Sequence, residues 1–254
     1  MVLNYPDLGG KVALVTGGSR GIGAATCRLL AANGVRVAVN GRDEKAIAAV
    51  VHDITQAGGT AIAAAGDITE PGVVDAVAGR VAADLGPVTI LAAFAGGQGA
   101  PVPSMELSAD RWRAVLESDL TATFLTIGAV LPQMIGAGGG SIITMSSAAG
   151  RQPSQANVAY AVAKAGVTML TRHLAKELGP KHVRVNSLAP SAVLNEKMER
   201  YMSTEQLSQL AAAFPLGRIG QPDDVAQAAS FLASGASSWI TGVTIDLTGG
   251  RVIV

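Results

Sequence analysis

The feature that most constrains this chain is an alternation: short apolar runs rich in β-formers, separated by longer alanine-rich stretches of helical period. The runs are Val12–Thr16, Val35–Val39, Ala61–Ala65, Val88–Ala93, Ser141–Met145, Val183–Leu188 and Val243–Leu247. Seven strands with about six helices between them predict parallel βαβ units with right-handed crossovers. The open form of such units is a doubly wound parallel sheet with helices on both faces, a three-layer αβα Rossmann architecture. A closed barrel of eight βα units lacks its last unit here.

The charge-free stretch from Leu120 to Gly150 is long enough for a membrane span, but Pro132 and Gly138-Gly139-Gly140 are expected to interrupt it. It reads instead as a buried helix, a turn and a buried strand, which requires a sheet covered on both faces. Residues 1–254, 49% hydrophobic, suffice for one large core, and neither a linker nor a repeat divides them. The least regular part, Pro190 to Pro215, carries an amphipathic piece with Met198, Met202, Leu207 and Leu210. It is too long for an ordinary connection and is expected to form a substrate lid. Nineteen basic and nineteen acidic side chains balance, so nothing global recruits nucleic acid or a membrane surface. A single cysteine, Cys27, and a start, Met1 to Asp7, without a basic region and apolar core make the cytoplasm the expected location.

Thr16-Gly17-Gly18-Ser19-Arg20-Gly21-Ile22-Gly23 follows the first strand and opens a helix. Glycines there let backbone approach a pyrophosphate, and the helix N-terminus offers free N–H groups and partial positive charge. Gly17-x-Ser19-x-Gly21 also matches a hydrolase nucleophile elbow, but it falls on the first strand, and His52, His173 and His182 lack an obvious acidic partner. After the second strand, where an NAD-binding unit carries an acid for the ribose 2′-hydroxyl, the chain reads Asn40-Gly41-Arg42. Arg42 and Arg20 suit a 2′-phosphate, so NADP(H) is favoured, with NAD(H) possible.

Tyr160 and Lys164 lie four apart in an alanine-rich helical segment and therefore share one face. An ammonium near a phenol favours phenolate, which makes tyrosine usable in acid/base chemistry. Ser146-Ser147 closes the strand from Ser141, at the end of the sheet where open α/β folds bind ligands. No metal site is expected.

Taken together, Thr16-Gly17-x-x-x-Gly21-x-Gly23, Asp67, Ala95-Gly96, Ser147, Tyr160-x-x-x-Lys164, Asn186, Pro190, Thr241-Gly242 and Gly249-Gly250 resemble the compact short-chain dehydrogenase/reductase family over essentially the whole chain. The resemblance is strongest to bacterial 3-oxoacyl carrier-protein reductases and related ketoreductases. It implies that Ser147 bonds the substrate carbonyl, Tyr160 donates a proton as hydride arrives, and Lys164 holds the nicotinamide ribose and tunes Tyr160. It further places Asp67 and Ile68 by the adenine and Val193, after Pro190, at the nicotinamide amide. A small ketone or alcohol as substrate and a homotetramer built through the Leu107–Met134 and Tyr160–Leu178 regions are implied too.

Four positions depart from the family. Ala93-Phe94-Ala95-Gly96 replaces Asn-Asn-Ala-Gly, so backbone groups there need other partners. Asp119 stands where an asparagine commonly completes a catalytic tetrad; as an ionised carboxylate it would stabilise the Lys164 ammonium and offset the potential acting on Tyr160. A surface placement of Asp119 is the alternative. Ser191 replaces a glycine after Pro190, and Asn195 stands where threonine often contacts the cofactor. A relative that binds dinucleotide without turnover, or an alcohol dehydrogenase working oxidatively, are the competing functional expectations.

Overall fold

The computed structural model describes residues 4–70 and 72–253; Met1–Leu3, part of the start segment read above, lie outside the described residues. Seven strands form one sheet: β1 (Val12–Thr16), β2 (Arg36–Gly41), β3 (Thr60–Ala65), β4 (Ile90–Ala93), β5 (Gly140–Met145), β6 (Val183–Pro190) and β7 (Thr244–Leu247). Their order is β3-β2-β1-β4-β5-β6-β7, with every neighbouring pair parallel. The chain winds outward from β1 to β3 and then returns to the other side of β1, which opens a crevice between the ends of β1 and β4.

The α-helices are α1 (Gly21–Ala32), α2 (Glu44–Gln56), α3 (Val73–Leu85), α4 (Ala109–Leu116), α5 (Ala122–Gly136), α6 (Val158–Leu178), α7 (Glu196–Tyr201), α8 (Thr204–Ala212) and α9 (Pro222–Ala233). The surplus over six crossovers has two sources. A π turn over Glu117–Thr121 divides one long helical run into α4 and α5, and the 190–215 stretch folds as α7 and α8. On those two short helices Met198, Met202, Leu207 and Leu210 are half-buried, as their spacing requires.

Alternation along β1 shows why the strands read as continuous apolar runs. Ala13 and Val15 pack with Leu30 of α1, Val50 of α2 and Leu232 of α9, whereas Val12 and Leu14 pack with Val81 of α3, Val130 of α5 and Leu178 of α6. Both faces of the sheet are therefore dry. Strand limits shift where side chains intervene. The Val35 N–H closes the end of α1 on the Leu30 carbonyl, the Val88 N–H is taken by the Gln133 side chain at 3.2 Å, and the Val243 N–H by Asn186 Oδ1 at 3.2 Å. β2 instead runs on through Asn40 and Gly41, which stay in register with Ala64 and Ala65.

Pro132, expected to interrupt the apolar stretch, lies inside α5. Burial of Ile127, Val130 and Met134 around it outweighs the roughly 3 kcal/mol that an interior proline costs. The break comes after α5, where Gly138 and Gly139 take φ values of 90° and 131°. The run Ala109–Gly136 is long and apolar enough to cross a membrane, but Val115, Ala122 and Val130 in it are buried in this fold.

At the β1–β4 crevice the backbone N–H groups of the Ala93-Phe94-Ala95 segment, which lacks the asparagines, find a partner in β1. Thr16, 1% exposed, accepts at Oγ1 from the Phe94 N–H (3.0 Å) and the Ala95 N–H (3.2 Å). Thr16→Val keeps shape but removes that acceptor. It is expected to lower stability by about 1–3 kcal/mol in urea unfolding; a variant as stable as the parent would show that these N–H groups do not depend on Thr16.

Candidate active site

The glycine-rich turn is built from conformations and contacts that side chains would prevent. Gly17 and Gly21 have φ of 64° and 49°, and a Cβ on Gly23 would lie 2.0 Å from the Gly17 carbonyl oxygen. Arg20 occupies the N-cap of α1 in extended backbone without capping it through its side chain. The first-turn N–H groups of Gly21, Ile22 and Gly23 are thus the unpaired donors that a helix N-terminus offers to an anion.

In front of this turn lies a cleft of about 470 Å³. It gathers Gly17, Ser19, Arg42, Asp67, Ile68, Ala95 and Gly96, all singled out from the sequence. Arg111 and Lys197 also line it, giving with Arg42 three cations at its edge. The Asp67 carboxylate accepts from the Thr69 N–H (3.1 Å) and hydroxyl (2.8 Å) and faces Arg42 at 3.6 Å. Burial raises its pKa, but the Thr69 bonds and the Arg42 charge outweigh that and hold the carboxyl below its ordinary value.

Several residues expected at the cofactor have partners within the chain. Arg20 is bonded to the Asp43 carboxylate, which also caps α2 through the Ala46 N–H, and Glu196 lies 3.8 Å from its Nε. Its guanidinium therefore has carboxylate partners. Arg42, 78% exposed on its side chain, has only the long contact to Asp67 among the described residues. Pro190 ends β6, and Val193 forms a bridge with Gly220. Asn195 caps α7, accepting from the N–H groups of Lys197 and Met198. Asn40 lines the cleft, but its amide nitrogen is spent on the carbonyls of Ala64 (2.8 Å) and Gly66 (3.2 Å). Around Ser19 the cleft holds no histidine among the described residues, which leaves the hydrolase pattern without a base.

The second cluster forms where α6 passes the end of β5. Ser146 is turned inward, its hydroxyl bonded to the Lys164 carbonyl (2.8 Å) and to Thr168 Oγ1 (3.0 Å). Ser147, the next residue, therefore faces the opposite way and meets the Tyr160 phenol. Lys164 Nζ lies 5.5 Å from the centre of the Tyr160 ring, donates to the Met145 carbonyl at 3.0 Å and pairs with Asp119 Oδ1 at 3.1 Å. Asp119 is fully buried, which rules out the surface placement. Its carboxylate also accepts from the Gly97 N–H (2.6 Å), the Gln98 N–H (3.4 Å) and the Ser118 hydroxyl (2.8 Å).

Burial pushes the Lys164 pKa down, and Asp119 opposes the shift. For Tyr160 the balance runs upward: burial raises the phenol pKa above 10, the Ser147 hydroxyl lowers it, and the Asp119 charge raises it further. Cys27, fully buried, has its thiol pushed up by the same desolvation and takes no part.

Sequence reading missed Thr69, Ser118 and Lys197 at the cleft and Asn157 beside Tyr160. Asn157 had a signal, being a capping residue three positions before Tyr160; the others depend on distant elements meeting. A larger open groove of about 860 Å³ runs between residues 101–104, the 149–156 loop and the outer face of α6. It contains none of Ser147, Tyr160 and Lys164 in its lining, so the reacting groups lie on the other side.

With this geometry the comparisons with known proteins agree. The profile of the short chain dehydrogenase family matches residues 11–206. The chain is 38% identical over 252 residues to D-threitol dehydrogenase of Mycolicibacterium smegmatis, covering 97% of this chain and 94% of that protein. It is 34% identical over 241 residues to 3-oxoacyl-[acyl-carrier-protein] reductase of Chlamydia muridarum, with 94% and 96% covered. Among solved structures, 7α-hydroxysteroid dehydrogenase complexed with NADH and 7-oxo-glycochenodeoxycholic acid superposes with a TM-score of 0.92 at 36% identity, covering 98% of this chain and 96% of that one. The chain belongs to the short-chain dehydrogenase/reductase family. It is an NAD(P)(H)-dependent oxidoreductase acting on small-molecule alcohols or ketones.

Asp119→Asn removes a negative charge that holds the Tyr160 proton in place. Alcohol oxidation needs the ionised phenol, so the rising limb of its kcat/KM against pH is expected to move to lower pH. A limb unmoved by the substitution would exclude electrostatic coupling between Asp119 and Tyr160.

Proposed function

We propose that the protein is a single-domain, NADP(H)-preferring carbonyl reductase, in which Tyr160 delivers the proton and Ser147 holds the carbonyl oxygen. The observation that carries this reading is the convergence of Tyr160, Lys164 and Ser147 where α6 passes the end of β5, with burial keeping the phenol protonated. At neutral pH the group is a proton donor, which is what reduction of a ketone requires.

The cleft fits a dinucleotide on its own chemistry: glycine backbone with no room for a Cβ at Gly23, a helix N-terminus, and cations at the rim. Gly17, Ser19, Gly21, Ile22 and Gly23 would hold the pyrophosphate. Asp67 and Ile68 would border the adenine, and Ala95 and Gly96 the adjoining ribose. Preference for a 2′-phosphate is supported by Arg42 at the rim, with Arg111 and Lys197 near it, and by the uncharged Asn40 after β2. Reduced nicotinamide, when bound, supplies a hydride for the carbonyl carbon.

The chain's own residues account for the rest. Ser147 Oγ donates to the carbonyl oxygen and draws charge toward it. Tyr160 gives its phenolic proton to that oxygen as negative charge builds there. Lys164 then stabilises the phenolate left behind, and Asp119 keeps the ammonium in position. The segment 190–215, with its half-buried apolar face on α7 and α8, serves as the lid over the substrate. Exposed Phe124 on α5 and Val162 and Met169 on α6 support self-association, in this reading as a homotetramer. The single buried cysteine supports a cytoplasmic location. A second reading, an alcohol dehydrogenase working oxidatively, is favoured by the names of the threitol and hydroxysteroid relatives.

A panel of ketones and secondary alcohols assayed with NADPH and NADH separates these readings. Turnover of a ketone with NADPH at a kcat/KM at least about tenfold above that with NADH is expected, a difference of about 1.4 kcal/mol. Tyr160→Phe should lose about 10²–10⁴-fold in kcat, the usual worth of general acid catalysis. Preference for NADH, or a Phe variant with full activity, would overturn the cofactor assignment and the role of Tyr160 respectively.

A further inference from the structure

We propose that Asn157 and Asp119 are positioning residues that clamp the strap Gly97–Ala100 across Tyr160, fixing the wall against which a substrate carbonyl meets the phenol. The inference rests on the reading of Tyr160 as the proton donor.

The strap is Gly-Gln-Gly-Ala, a sequence with almost no side chain to bury and with Gly97 at φ 105°. Such a segment has much backbone freedom to lose, and nothing in its composition would hold it in one place. It is nevertheless tied at Gly97, Gln98 and Ala100. On one side the Asp119 carboxylate accepts from the N–H groups of Gly97 and Gln98, and the Gln98 side-chain nitrogen reaches Ser118 Oγ at 3.3 Å. On the other, Asn157 Nδ2 donates to the carbonyls of Gln98 (2.8 Å) and Ala100 (3.0 Å).

Asn157 is 1% exposed and uses every polar function it has. Its Oδ1 accepts from the Tyr160 N–H at 2.9 Å, capping α6, while its nitrogen bridges the two strap carbonyls. Serine, threonine or aspartate would cap the helix equally well. Only an asparagine offers the cap acceptor together with a pair of donors at the same short reach. The choice of residue is thus explained by the strap, not by the helix.

The result is felt at the ring. A Cβ on Gly99 would lie 3.1 Å from Cδ1 and Cε1 of Tyr160, so the strap passes close beside the ring with no room for a side chain. Around that ring the charged groups are Lys164, on the same helix, and Asp119, from the π turn; the loop after β5 contributes the neutral Ser147 hydroxyl, and the strap carries no charge. The strap therefore acts on Tyr160 by excluding water and by setting the space in front of it.

Asn157→Ser separates the two roles, because serine keeps the cap and loses both donors. Ser118→Ala loosens the strap from the other side without touching the cap. The probe is phenolate absorbance followed against pH in the cofactor-free protein, assigned by subtracting the Tyr160→Phe variant, with thermal melting alongside. Loosening hydrates the phenol, so Tyr160 is expected to ionise about three- to tenfold more readily in Asn157→Ser and less so in Ser118→Ala, with little change in melting. KM for a ketone turned over by the parent should rise several-fold, with a smaller effect on kcat. Parental titration curves in both variants would overturn the proposal, and so would a melting loss in Asn157→Ser with a parental titration curve, which would make its strap bonds purely structural. Because the titration uses neither cofactor nor substrate, it stands even if Tyr160→Phe retains turnover, an outcome that would defeat the proton-donor reading alone.

Discussion

The ion pair between Lys164 and Asp119, 3.1 Å apart and 2% and 0% exposed on their side chains, organises the reacting end of this molecule. Removing two charges from water costs several kcal/mol per ion, and mutual attraction offsets that only when the remaining hydrogen-bonding capacity is used. Here it is used: Lys164 reaches the Met145 carbonyl, and Asp119 accepts from Gly97, Gln98 and Ser118. Other features follow from that pair. Gly96 has no alternative, since a Cβ there would sit 2.5 Å from Asp119 Oδ1. The π turn over Glu117–Thr121 inserts a residue into the long helical run at the point where Asp119 faces inward.

The sheet brings these local arrangements together. β1 and β4 diverge in connection, so their carboxyl ends leave the crevice in which the glycine-rich turn and the Ala95–Gln98 segment meet. β5, one strand further, delivers Ser147, and α6 returns across its end with Tyr160 and Lys164. A neutralised lysine beside a buried phenol is a different instrument from an unpaired one. The phenol keeps its proton more firmly.

Much of this was legible in the sequence because its causes are local. Strand positions follow from runs of β-branched residues, the α6 pairing of Tyr160 and Lys164 from a four-residue spacing, and the glycine turn from its place after β1. The illegible parts share a cause, which is a side chain acting across the chain. Gln133 shortens β4 from 45 residues away, Thr16 takes the Phe94 and Ala95 N–H groups across the crevice, and Asp43 bonds the Arg20 guanidinium. Pro132 was misread because its penalty is local while the packing that outweighs it is not. Asp119 was recognised as a departure, but its burial needed the π turn, which no periodicity announces.

The account depends on Lys164 being an ammonium held by Asp119. That is read most directly from the ¹⁵N chemical shift of the Lys164 side chain, followed against pH in the parent and in Asp119→Asn. An ammonium through neutral pH in the parent, and proton loss at distinctly lower pH in the variant, is the predicted result. A neutral amine in the parent at pH 7, or superimposable titrations in the two proteins, would contradict it.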